Sequence, residues 1–310
     1  MSDQNERKGA KPSPFAWLFF LAGANLLGPF LPIPSALAAV AGGTLLTLIY
    51  VGAVIAFALG IARQKLPVSV ALLWLGLSVL VWLGVEYGMW PLVRRAFRAI
   101  AENGGAPTAS QQMALSFTET LQDLALFCGA TLAGTLLARL IRHANMIGPI
   151  GAAIALIDIW GVLFGGIVSQ MLTNKATQPL ANKAMTAGPS LGGASRAKTG
   201  FSIALPSIGV GDFLFIALLL SVLVNLSMNW RTSARLMWVL VCFALLSIQF
   251  LPFFPALPGL LFIGAAAVLP NWKFFTFTRE ERFALLYAGI FVLLLTVGLY
   301  FGFQAALPSK

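Results

Sequence analysis

The chain has 310 residues, 59% of them hydrophobic and only 10% charged, with a net charge of +10 and a mean hydropathy of +0.88. Soluble domains carry roughly a quarter charged residues, so this composition excludes an ordinary water-soluble globule. The surplus Lys and Arg fall mainly between apolar segments, where such residues anchor helices. No RNA- or DNA-binding motif accompanies them, so nucleic acid is excluded as a partner.

The apolar runs are long enough to cross a bilayer, which takes about 20 residues each. The alternating pattern of a membrane barrel is absent. The expected fold is therefore all-α: a polytopic (multi-pass) membrane protein of about nine transmembrane helices, whose location in a prokaryotic inner membrane is an expectation that rests on the resemblance described below. Residues 1–14 form a polar tail. Apolar segments follow near 15–34, 36–62, 66–88, 114–141, 146–168, 202–227, 234–252, 256–270 and 283–306. The first ends near Ala36-Leu37-Ala38, which fits a small-residue cleavage pattern. Its apolar part exceeds the about 7–15 residues of a secretion signal, so an uncleaved helix is expected. The organisation read from this pattern is a block of membrane helices over 15–143, a second block over 146–270 interrupted by the linker 169–201, and a further C-terminal helix within 271–310.

Two connections stand out. WPLVRRAFRAIA (90–101) places Leu92, Val93, Ala96, Phe97 and Ile100 on one helical face and Arg94, Arg95 and Arg98 on another. That is the pattern of a helix lying in the membrane interface; a loop with one helical turn is the plain alternative. The second is the basic, Gly/Ser/Ala-rich linker 169–201, whose composition predicts flexibility. With the N-terminus inside, nine spans put Arg63, Lys65, Arg139, Arg142, Arg231, Arg235, Lys273, Arg279 and Arg282 inside. The linker, with Lys175, Lys183, Arg196 and Lys198, then falls outside, as do Arg94, Arg95 and Arg98. The positive-inside bias is accordingly weak. Cys128 and Cys242 lie inside apolar runs and read as small core residues. His143 reads as an interfacial anchor. No metal site and no cofactor are expected.

Acids inside a membrane are costly, and by default they mark a functional site. The linker separates two of them. Asp158, in ALIDIW, lies 12 residues before Gln170, and Asp212, in GVGD, lies 11 residues after Phe201. At about 1.5 Å per helical residue, each is roughly 17 Å from the linker side. Consecutive spans run antiparallel, so the two carboxylates can face each other. Two carboxylates brought close share one proton. The pair then offers an acid and a base at once. The base activates a water while the acid protonates a carbonyl oxygen, with no metal and no nucleophilic serine.

Gly209 and Gly211 remove side chains just before Asp212, which lets another backbone approach the acid and loosens the helix start. Plain helix packing is the competing explanation for these glycines. Further on, Pro255-Ala256-Leu257-Pro258 disfavours a regular helix. Such broken backbone is tolerated in a membrane only against protein or a water-filled cavity; a hairpin turn is its simpler reading. Glu119 and Asp123, four apart on one helical face, read as interfacial. With Glu86 they also permit a proton-coupled transporter using carboxylates as a relay.

An aspartate in one helix, GxGD in the next and PAL beyond resemble the presenilin and signal peptide peptidase family of intramembrane aspartyl proteases, in a divergent prokaryotic-type form. The likeness covers about 146–270. It implies a catalytic dyad of Asp158 and Asp212, with Gly209, Gly211, Pro255, Ala256 and Leu257 shaping the site and engaging substrate. It implies an aspartic endopeptidase whose substrates are transmembrane segments, or signal-peptide remnants, of other membrane proteins. Three features depart from the family. Ile157 stands where the family usually has Tyr, four segments rather than five precede the Asp158 helix, and an extra segment, 283–306, follows the one that begins with PAL.

Overall fold

The computed structural model describes residues 13–30, 35–102, 108–163, 185–186, 208–250 and 258–306. Within them the regular structure is helical apart from one pair of two-residue strands. The helices are α1 (Pro14–Leu27), α2 (Ala36–Gln64), α3 (Val68–Gly84), α4 (Trp90–Glu102), α5 (Ala109–Leu137), α6 (Ile147–Leu163), α7 (Val210–Asn225), α8 (Trp230–Phe250), α9 (Gly259–Val268) and α10 (Arg279–Ala306). Three helical stretches are long and apolar enough to cross a membrane: Val40–Gln64, Val68–Ile100 and Ala109–Leu140. Shorter apolar helices cover Pro14–Leu27, Ala144–Ile159, Val210–Asn225 and Gly259–Phe274.

Local chemistry sets the ends. Ser35 caps α2 by accepting from the Ala38 N–H at 3.2 Å. Thr108 and Gln111 form a reciprocal capping box at the start of α5, which satisfies two donors left over at a helix start. Lys65 ends α2 in the left-handed region at φ 46°, a position usually given to Gly.

Between Asp212 and Ser221, α7 is apolar all round, as an enclosed helix should be. Its Ala217, Leu219, Leu220, Val222 and Leu223 are completely buried. It packs against α5, α2 and α9. The contact with α5 is backbone-close: a Cβ on Gly134 would stand 2.2 Å from the Leu214 carbonyl oxygen. Phe127 of α5 bridges Phe57 of α2, with ring centroids 4.9 Å apart, and Phe213 of α7, at 5.1 Å. At the opposite end of α7, Asn271 is fully buried. Its amide donates to Ser233 Oγ and to the Ala267 carbonyl, and its oxygen accepts from the Asn229 N–H. This fixes the start of α8 to the turn after α9.

The outer helices show the reverse pattern. Leu72, Leu73, Trp74, Leu77 and Leu80 of α3 are exposed, as are Leu286, Tyr287, Phe291 and Leu294 of α10. Apolar faces this large are rare on soluble monomers.

Two expectations need correction. The 90–102 segment is helical, but it is not a separate connection: a π-turn over Val85–Met89 joins α3 directly to α4. The combined apolar helix Val68–Ile100 has 33 residues, roughly 50 Å, well beyond the about 30 Å hydrocarbon core. Of the segment expected at 202–227, the described part begins as strand at Ile208–Gly209 and is helical from Val210. Just before it, Ile208–Gly209 (β2) pairs antiparallel with Met185–Thr186 (β1) of the linker, in the register Met185↔Gly209 and Thr186↔Ile208.

Candidate functional site

The site begins with a close approach of two helices. A Cβ on Gly264 of α9 would lie 3.0 Å from the Gly151 carbonyl oxygen of α6. Two backbones this near bring side chains of one helix onto the main chain of the other. Seven residues along α6, Asp158 meets the start of α9: its Oδ2 accepts the Leu260 N–H at 2.7 Å. That N–H belongs to the first turn, where no intrahelical carbonyl is available. The carboxylate thus satisfies an orphan donor and sits at the positive end of the α9 dipole.

Asp212 reaches the same place from α7. It is the third residue of that helix, and its Oδ2 accepts from the Gly209 N–H at 3.2 Å. A Cβ built on Gly259 would lie 3.6 Å from Asp212 Oδ1. Asp158 and Asp212 therefore flank one dipeptide, Gly259-Leu260, and lie within electrostatic reach of each other. Both are half-buried. Capping explains each acid singly, but Ser, Thr or Asn would serve a cap equally well. Capping does not explain why the two acids converge.

Among the described residues, the glycines before Asp212 make no close helix contact. Nothing among the described residues lies within 4 Å of a Cβ on Gly211, and a Cβ on Gly209 would meet only Asp212 Oδ2 at 3.6 Å and the Gly211 nitrogen at 4.0 Å. The helix starts between them, at Val210, as the loosened start predicts. The close helix contacts use other glycines, Gly134, Gly151 and Gly264. Pro255, Ala256 and Leu257 lie outside the described residues. Their C-terminal neighbours Pro258, Gly259 and Leu260 form the start of α9 against both acids. The sequence marks the broken backbone of PALPGL (255–260) but within it assigns site-shaping only to Pro255, Ala256 and Leu257, so Gly259 and Leu260 go unnamed. The signal available was the Gly directly after Pro258, at a helix start beside broken backbone. Ile157 is 67% exposed, so the residue before Asp158 points away from the core.

A second polar group lies among the N-terminal helices. Asn25 of α1 is buried beside Tyr50 of α2, with no hydrogen bond of normal geometry. Asp123 of α5 is half-buried within electrostatic reach of Tyr50, and Glu119 is exposed. The interfacial reading therefore suits Glu119 better than Asp123. Glu86, in the π-turn, is buried and accepts from Gln122 Nε2 at 3.5 Å, while Gln122 Oε1 takes the Trp90 indole N–H.

No family model, curated protein or solved structure matches the chain.

Proposed function

We propose that the chain is a multi-pass membrane protein of about nine spans, and that it acts as an intramembrane aspartic endopeptidase. The observation that carries this reading is the convergence of Asp158 and Asp212, from two helices, on the Gly259-Leu260 backbone. In the proposed reaction the dyad holds one proton. The ionised member takes a proton from a water, whose oxygen attacks the peptide carbonyl carbon. The protonated member gives its proton to the carbonyl oxygen. The tetrahedral species then collapses: the C–N bond breaks and the amine nitrogen leaves with a proton returned through the dyad.

The substrate must be extended at the cut, because a helix hides its peptide bonds in its own hydrogen-bond ladder. The β2 strand one residue before α7 supports this. The backbone beside Asp212 already pairs as a strand, and an incoming chain is suited to that mode. Transmembrane segments of other proteins are the proposed substrates, and Gly211 leaves room for their backbone. The test is cleavage of a membrane-spanning reporter peptide by purified protein in liposomes. A carboxylate-directed transition-state inhibitor should block it, and each aspartate-to-asparagine variant should lack it.

A second reading is a proton-coupled transporter. The group of buried Asn25 and Tyr50 with half-buried Asp123 favours it, since intramembrane polar groups commonly line ion pathways. Proton-driven solute flux into sealed vesicles, with no peptide cleavage, would select that reading.

A further inference from the structure

A cavity of about 320 Å³ opens at the end of the helix bundle where α2 turns into α3 and where α5 and α7 finish. Its polar lining comes from Lys65, Thr135, Arg139, Ser221 and Asn225, with Leu66 at the mouth. Thr135 and Arg139 share one face of the α5 end, four residues apart, and Ser221 and Asn225 do the same on α7. Deep in the cavity the two hydroxyls are committed to each other: Ser221 Oγ donates to Thr135 Oγ1 at 3.3 Å, and Thr135 donates to the Thr131 carbonyl at 2.8 Å. One turn outward, the donors remain available. The Arg139 guanidinium places one N–H on the Leu66 carbonyl, out of the five a guanidinium carries. Among the described residues no carboxylate pairs with Arg139 or Lys65.

Lys65 adds an independent observation. It occupies a left-handed helix end, at φ 46°, a backbone conformation that Gly adopts without the steric cost a Cβ brings. A strained residue that keeps a charged side chain at a cavity mouth points to a use for that charge. The same end of the bundle holds further cations: Arg63 and Arg231 lie over the Trp230 ring at 5.1 and 5.0 Å from its centroid.

We propose that this cavity binds the phosphate of an anionic lipid headgroup. The ammonium of Lys65, the free N–H groups of Arg139 and the amide of Asn225 supply the donors, and the phosphate supplies two negative oxygens. The position selects lipid over free phosphate. The cavity opens at the ends of apolar helices, where headgroups lie, and basic pockets between membrane helices suit them. This inference does not depend on the protease reading.

The test uses the full-length protein in uncharged detergent, with thermal unfolding followed by tryptophan fluorescence. Short-chain phosphatidylglycerol, short-chain phosphatidylcholine and inorganic phosphate are titrated separately. Phosphatidylglycerol should raise Tm saturably, and the other two should not. Lys65→Gly suits the left-handed backbone, so it should hold or raise the ligand-free Tm while weakening the phosphatidylglycerol Kd about tenfold or more. Arg139→Gln should weaken it as well. Equal stabilisation by phosphatidylcholine, or an unchanged Kd in Lys65→Gly, would overturn the proposal. A matching shift from inorganic phosphate alone would overturn the lipid assignment.

Discussion

The carboxylate of Asp158 accepts the backbone N–H of Leu260 at 2.7 Å, which ties α6 to the first turn of α9. Asp212 lies against Gly259, the neighbouring residue. Two acids far apart in sequence thus share one helix start. Each carboxylate accepts an N–H at a different helix start, Asp158 at α9 and Asp212 at α7, and capping alone does not account for their meeting.

Asp158→Asn and Asp212→Asn should each reduce peptide cleavage at least ~100-fold, the lower end of what positioned acid–base groups contribute. Asn keeps an acceptor for the Leu260 and Gly209 N–H groups, so extraction and Tm should stay near wild type. Rates measured on a liposome-embedded reporter decide the matter. A variant cutting at near wild-type rate would rule out the two-aspartate mechanism.

Activity should follow a bell-shaped pH profile. A coupled pair releases its protons in two macroscopic steps, and only the singly protonated pair can work. Initial rates across a pH series, with folding checked at each point, provide the measurement. A rate that rises continuously into alkali with the protein still folded points to another catalyst.

Gly259 offers a graded test of the site. A Cβ there would stand 3.6 Å from Asp212 Oδ1, which is ordinary contact, so Gly259→Ala should retain most activity. Gly259→Val sends methyl groups toward the carboxylates and should lower cleavage well beyond any fall in Tm. Parallel kinetics and unfolding curves separate the two effects.

Glycines of two kinds should respond oppositely. Gly134→Ala drives a Cβ to 2.2 Å from the Leu214 carbonyl oxygen. Overpacking of this kind typically costs about 1–3 kcal/mol, so a clear fall in Tm is expected. Gly211→Leu enters space that is open among the described residues, so Tm should hold while cleavage drops. Full activity in Gly211→Leu would remove the access route past this residue.

A trapped substrate should crosslink to 201–211 and 255–258. The paired strand at Ile208–Gly209 marks where an extended backbone is already accommodated. Crosslinks confined to α1, α2 and α3 would place the substrate elsewhere.

The sequence alone determined the helices and the acids. Apolar runs that long can satisfy their backbone groups in lipid only by coiling, so every expected segment contains a described helix, from α1 to α10. Asp158 and Asp212 stand out for the same reason, because a carboxylate among apolar residues needs an explanation. The boundary at Val210 was less legible: β-branched Ile208 and the glycines compete with helix, and the outcome depends on a strand partner in the linker. The amphipathic pattern of 90–101 marks a helix but not its continuity with α3, because a π-turn carries the helix through. Tertiary structure alone decided what the acids face. The contact of Asp158 with Leu260 spans 102 positions, and it exists because Gly151 and Gly264 let α6 and α9 touch main chain to main chain. The cavity at Lys65 and Arg139 likewise requires three helix ends to meet. Periodicity records which face of a helix is apolar; it does not record which other helix that face will meet.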